Sequence, residues 1–379
     1  MDEKPSLSLG DFGISTSRGF LPDQDPLTCL PKEWEFLDQF GRELPSLIEG
    51  RTILVAAKDL SLPTEKMLEG LSQPELNRAM TIYGFAASAF VHSCNVEPII
   101  IRSKIAWPLW WLSKKIGKPP ILSYCSYALN NWKRKNTEGD IEVDNLQLLQ
   151  NFIKLPDEDW FILIHVDIEK AASCAINGVL DAVISARNNN SCHLLLALVK
   201  ISVSLGDMIR TLKRMPEKCS PEVYYKKVRP WIMMFKNVVY EGVDDFENRP
   251  QTFRGETGAQ SSIMPLLEAG LCLSKRHEES VLTKHLSEMR LYMPIRHREF
   301  IEKVEITSQV REFIEKLNSQ DLKNRYNYCI EKMIEFRDIH LEYATSYIHQ
   351  RTKDPTGTGG TIFMPWLEQM RNETKKFFL

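Results

Sequence analysis

The chain has no CxxC pair and no Cys/His cluster. Its eight cysteines (29, 94, 125, 174, 192, 219, 272 and 329) are scattered through 379 residues. That excludes zinc-finger and iron–sulfur spacings and fits reduced thiols in a cytosolic protein. Charge of one sign is not in excess either. Lys and Arg number 48 against 50 Asp and Glu, a net charge of -2, which leaves no electrostatic footprint for nucleic acid or an anionic membrane. No uninterrupted apolar run reaches about 18 residues, so no transmembrane helix is expected. The opening MDEKPSLSLGDF is too acidic and polar for a signal peptide. There is no internal repeat and no convincing strand alternation. What is present is an ordinary globular composition, 43% hydrophobic and 26% charged, in a chain long enough for a large core. The expectation is an all-α, cytoplasmic protein of two lobes, residues 1–150 and 151–379.

Residues 1 to about 30 read as an extended arm. Helices are expected at 34–48, at 72–93 behind a Ser72/Glu75 capping box, at 105–116 before the Pro119-Pro120 break, and at about 122–132. Beyond the lobe boundary they lengthen. Residues 160–185 read as one deeply buried helix, 191–214 as another, and 221 onward as a helix bent or stopped by Pro230. Residues 238–258 read as loop, and further helices are expected at 259–273, 280–292 and 297–303.

One stretch organises the rest. In 321–352, Leu322, Tyr326, Cys329, Met333, Phe336, His340, Ala344 and Tyr347 recur at three- and four-residue steps, the stripe of a long amphipathic helix. His340 lies in that stripe, so its ring is either a hydrogen-bonded core group or bound to something. Arg337 lies one turn earlier on nearly the same side. A nitrogen ligand for iron and a guanidinium for a propionate are what a haem site needs.

Three other segments carry polar chemistry. Arg229 follows Tyr224 and Tyr225 by five and four residues. It is either a surface arginine packed on tyrosines or a bidentate site for an aromatic amino acid's carboxylate. His165 stands in the apolar run FILIHVDI, as a core histidine or as an acceptor facing a pocket. In FRGETGAQSS, Gly255 and Gly258 flank Thr257, which is either a helix cap or part of a backbone that approaches a flat ligand. The loop DPTGTGGT lacks the Lys-Ser/Thr of a phosphate-binding loop and no strand precedes it, so it reads as a lid in which Thr358 can donate a hydrogen bond.

Taken in order, KPPILSYCSYALNNWKRK (118–135), VVYEG (238–242), GETGAQSS (255–262), LYMPIRHREF (291–300), FRDIHLEYATSYI (336–348) and GTGGT (357–361) resemble the indoleamine 2,3-dioxygenase family, from about Arg18 to the C-terminus. The resemblance implies a helical protein with haem b, ferrous when active, between a small and a large lobe. His340 would be the proximal iron ligand, Arg337 would meet a propionate, and Glu268 would buttress Arg337. Arg229 would hold the substrate carboxylate, with Tyr124 and Phe161 around the indole. Thr257 and Gly258 would lie over the haem, and Thr358 near the substrate ammonium.

The implied reaction inserts O2 across the indole C2–C3 bond of L-tryptophan or a related indole, giving N-formylkynurenine for the kynurenine pathway. The resemblance also implies an electron donor that keeps the haem reduced and a monomeric chain. The alternatives are a haem enzyme of the same superfamily acting on another tryptophan derivative, or a non-catalytic haem-binding protein. Four positions depart from the pattern. His165 stands where serine is usual in the mammalian enzymes and would accept the indole N–H as the catalytic distal group. Tyr224 and Tyr225 stand where phenylalanines are common. Tyr127 replaces a small residue and Glu256 a glycine, which adds bulk and polarity to the substrate pocket.

Overall fold

The computed structural model describes residues 7–273, 281–352 and 356–379. The class is all-α, as expected. At its centre is the Ser191–Lys213 helix, packed on the Pro156–Ala171, Ser173–Arg187 and Gln320–Tyr347 helices. The stretch 191–217 is apolar enough by composition to cross a membrane, with mean hydropathy 1.7. Three helices pack on one side of it and half of it is buried, which accounts for part of that apolarity, while Leu196 and Val203 are exposed. The Gln320–Tyr347 helix also carries the closing Met364–Lys375 helix on its flank.

The first part of the chain builds on the Gln73–Ser93 helix, which is buried almost all round. Its start is the expected capping box: the Glu75 carboxylate accepts from the Ser72 amide at 2.7 Å. The N-terminal segment lies over the body, with Leu7, Leu9, Ile14, Phe20 and Leu21 buried. Residues 1–6 of the expected arm lie outside the described residues, as do 353–355 of the lid loop.

Several expectations need correction. The 160–185 stretch is two helices, Pro156–Ala171 and Ser173–Arg187. The break is held where Ser204 Oγ donates to the Ala171 carbonyl at 2.6 Å. Residues 238–258 are not all loop. Phe235–Tyr240 is a strand, parallel to Ile99–Ile101 and antiparallel to Gln251–Phe253. Its apolar β-branched residues pair with a segment some 140 residues away in sequence, which periodicity in one window does not reveal. A second small ribbon pairs Trp132–Arg134 with Leu146–Leu148. The organising helix stops at Tyr347 and is followed by a 3-10 turn, His349–Arg351.

The segments at 122–132 and 221 onward are helical but of unusual pitch. Cys125–Leu129 and Tyr224–Val228 are π-helical, closed by i→i+5 bonds from Asn130 N to the Cys125 carbonyl and from Arg229 N to the Tyr224 carbonyl. In the second, Pro230 has no N–H to continue the ladder, and the chain passes into a 3-10 turn, Arg229–Ile232.

Candidate active site

An aromatic wall forms where these two π turns meet the Pro156–Ala171 helix. The Phe161 ring lies 4.8 Å from His165, 4.5 Å from Tyr224 and 6.5 Å from Tyr127. Tyr124 meets His165 edge-on at 6.0 Å. Five of the expected residues are thus one surface.

The His165 tautomer follows from its partner. Nδ1 lies 2.7 Å from the Phe161 carbonyl, which can only accept, so Nδ1 carries the proton. Burial lowers the His165 pKa and keeps the ring neutral. Nε2 is left with a free lone pair.

His340 is solvent-accessible. Yet desolvation lowers its pKa to about 4, with His165 and Arg337 adding to the effect. The ring is thus accessible and yet set among protein groups, with His165 near enough to be felt electrostatically. At neutral pH the His340 imidazole is uncharged, the form that ligates a metal.

Arg337 ion-pairs with Glu268, as expected, and also donates to Thr374 Oγ1 and to the Met370 carbonyl at 3.4 Å. Thr374 comes from the last helix and had no signal in the sequence.

Arg229 is buried and sits over the Tyr225 ring, with 5.5 Å from its guanidinium carbon to the centroid. Its Nη2 donates to the Thr356 carbonyl at 2.5 Å, while Nε is buried with no partner. The segment that follows is anchored on the Gln73–Ser93 helix: Ser88 Oγ donates to the Trp231 carbonyl, and His92 Nε2 to that of Met233 at 3.1 Å.

The glycine loop is closed onto this arginine. Thr356 bridges to Ile362, Gly357 N donates to the Thr361 carbonyl at 2.7 Å, and Arg254 holds the Gly359 carbonyl at 3.1 Å while paired with Glu288 at 2.9 Å. Gly255 is wedged beneath it. A Cβ there would lie 2.4 Å from the Ile232 carbonyl oxygen and 2.5 Å from that of Thr358. Thr257 caps the short turn Gly258–Gln260, accepting from Ala259 N at 3.4 Å. The cap reading of this junction is seen directly, and a Cβ at Gly258 would meet nothing within 4 Å, so the backbone there is uncrowded. Gln260 ties the junction to the aromatic wall, accepting from Tyr124 N and donating to the Gly255 carbonyl, both at 2.9 Å.

Glu169 is a site residue that sequence reading missed. It accepts from Tyr124 OH at 2.9 Å and Ser261 Oγ at 2.7 Å, and burial raises its pKa to about 7. Its signal was available: it stands four residues after His165, on the same helix face.

Haem fits the residues present. Among the described residues, no three His, Cys, Asp or Glu side chains converge as a metal cage. A metal here would need its remaining ligands from a cofactor. An accessible neutral histidine, an arginine one turn earlier and an open glycine backbone suit a planar, anionic, iron-bearing group. Beside it lies an aromatic wall with a buried, incompletely paired arginine. The class this defines is a helical haem oxygenase for an aromatic substrate.

Comparison with known proteins agrees. The sequence profile of indoleamine 2,3-dioxygenase matches residues 8–377. The chain is 30% identical to indoleamine 2,3-dioxygenase 1 of Rattus norvegicus, covering 98% of this chain and 96% of the relative. It is 28% identical to the indoleamine 2,3-dioxygenase of Saccharomyces cerevisiae, with 98% and 94% covered. With indoleamine 2,3-dioxygenase acdA of Aspergillus candidus the figures are 29%, 99% and 98%. The chain belongs to the indoleamine 2,3-dioxygenase family, and with it to the haem-dependent dioxygenases.

Proposed function

We propose that this protein cleaves the indole ring of L-tryptophan to N-formylkynurenine, feeding the kynurenine pathway. It would work in the cytoplasm as a monomer with an electron donor, its haem between lobes 1–150 and 151–379. The observation that carries the substrate is Arg229: a buried guanidinium with a free Nε, at the edge of an aromatic wall. An aromatic amino acid supplies both the carboxylate and the ring.

His340 would hold the iron, and Arg337, braced by Glu268, would face a propionate. When bound, the haem supplies the binding and activation of O2. The rest is done by side chains. Arg229, carried on Tyr225, fixes the carboxylate. Phe161, Tyr124, Tyr127 and Tyr224 orient the indole and exclude water. His165 Nε2 accepts the indole N–H and so holds that proton at a defined atom. Thr257 and Gly258 border the cofactor, and Thr358 closes over the substrate ammonium.

Two variants test this. His340→Ala should fail to retain haem, read as loss of the Soret band. Arg229→Ala should keep haem but weaken L-tryptophan binding by about 10- to 100-fold, the value of a charge-assisted hydrogen-bond pair. An intact Soret band in the first variant, or unchanged tryptophan affinity in the second, would contradict the assignments.

A further inference from the structure

Arg254 is tied to three neighbours at once. Its backbone N–H donates to Tyr292 OH at 2.8 Å. Its guanidinium forks onto Glu288, with Nε 2.9 Å from Oε1 and Nη2 3.0 Å from Oε2. The remaining nitrogen, Nη1, donates to the Gly359 carbonyl at 3.1 Å. A planar guanidinium gripped through two of its nitrogens has the direction of the third fixed, so the Glu288 carboxylate decides where Nη1 points.

Glu288 stands on the Val281–Arg290 helix, and that helix meets the glycine loop region at a second place. His285, one turn before Glu288, packs its ring 4.8 Å from that of Trp366, which lies just beyond the loop in the closing helix. One helix therefore braces the loop at Gly359 and again where the closing helix begins.

Thr358 lies between fixed points. On one side Gly357 N donates to the Thr361 carbonyl at 2.7 Å, and on the other Gly359 is held by Arg254. The Thr358 carbonyl oxygen would lie 2.5 Å from a Cβ at Gly255, the residue after Arg254, and Gly360 is packed so closely on Met234 Sδ that no Cβ fits. The Arg254 and Glu288 side chains are 26% and 39% exposed, and an ion pair so exposed contributes little to stability by itself. What it supplies is a donor aimed at the carbonyl of a buried loop residue.

We propose that Arg254 is a positioning residue for the reaction: forked on Glu288, it holds the Gly359 carbonyl and so fixes the adjoining Thr358 over the substrate ammonium. This rests on the lid assignment under Proposed function and names the side chain that sets it. Arg254 acts through the loop backbone and does not itself touch the substrate. Its removal therefore weakens ligands that carry the ammonium group and spares those that lack it.

The test uses the haem-loaded protein, titrated with L-tryptophan and with indole-3-propionate, which keeps the ring and carboxylate and lacks the ammonium, while the haem spectrum is followed. Arg254→Ala should weaken L-tryptophan binding about fivefold or more and leave indole-3-propionate within about twofold, the value of one lost hydrogen bond to a charged group. Retained indole-3-propionate binding shows that the variant is folded. In turnover the loss should fall on KM, with kcat largely kept, as for a contact made equally before and during the reaction. Arg254→Lys should restore part of the affinity. Glu288→Gln, the milder change, should weaken L-tryptophan in the same selective way and add nothing in the Arg254→Ala background, because both act through one contact. If Arg254→Ala leaves L-tryptophan affinity unchanged, weakens both ligands alike or lowers kcat alone, this inference is overturned while the tryptophan reading stands. If the wild type binds neither ligand, the tryptophan reading fails and this inference with it.

Discussion

His165 shows how a single residue's surroundings set its chemistry. Its Nδ1 proton is tied to the Phe161 carbonyl, so only Nε2 can face a substrate, and only as an acceptor. A substrate methylated at the indole nitrogen has no proton to give and adds bulk where the acceptor stands. Its kcat/KM should fall at least about tenfold below that of the unmethylated compound, a lost hydrogen bond plus a steric term. His165→Ser should narrow the gap. Equal kcat/KM for the two compounds in the wild type would remove His165 from the site. The sequence placed this histidine in an apolar run but left open whether it was a core group or an acceptor, because the tautomer depends on a bond only the fold supplies. His340 was legible as a stripe residue and Arg337 as its neighbour. Thr374 was not, since it arrives from another helix.

At the scale of elements, the site is assembled by irregular pieces. Tyr127 and Tyr224 stand on π turns, whose i→i+5 bonds aim side chains differently from an α-helix. Sequence periodicity marked both segments as helical and could not register the extra residue per turn. Composition marked the glycine-rich segment as a loop. In the structure it is latched by Arg229 and Arg254, long-range partners with no local signal. Gly255 is the tightest point of that assembly, where a Cβ would press on two carbonyl oxygens. Gly255→Ala should force the two strands of backbone apart at a cost of about 1–3 kcal/mol. The unfolding midpoint should fall, and proteolysis near residue 357 should quicken. A variant with wild-type stability and cleavage rate would show that the loop does not pack as described.

For the whole molecule, buried titratable groups set how stability responds to pH. Burial raises the pKa of Glu158 and Glu169 to about 7 and that of Glu256 to about 8, from 4.5. A carboxyl raised in the folded state contributes stability below its unfolded pKa and loses it as pH rises through the folded value. These three therefore cost stability on going from about 4.5 to 8. Burial lowers His92 to about 4 and His297 to about 3, from 6.5. Those two take up protons on unfolding, so they cost stability as pH falls from 6.5 toward 3. Between about 4.5 and 6.5 the two sets oppose each other. With three carboxyls against two histidines, stability measured by denaturant unfolding should decline only gently as pH rises there, fall by about a few kcal/mol from pH 6.5 to 8, and fall again below 4.5. A steady rise in stability from pH 6.5 to 8 would mean that these carboxyls are ionised in the folded protein. At this scale the all-α class was readable from helical periodicity. The small sheet was not, because its central strand finds partners far along the chain.

In the proposed reaction, His340 and the Arg229 wall act together on tryptophan. The most direct measurement is to load the protein with haem, reduce it, supply L-tryptophan and O2, and follow the absorbance of N-formylkynurenine. Sustained product over many turnovers is expected, lost in both His340→Ala and Arg229→Ala. A normal haem spectrum with no product from L-tryptophan would contradict that joint role.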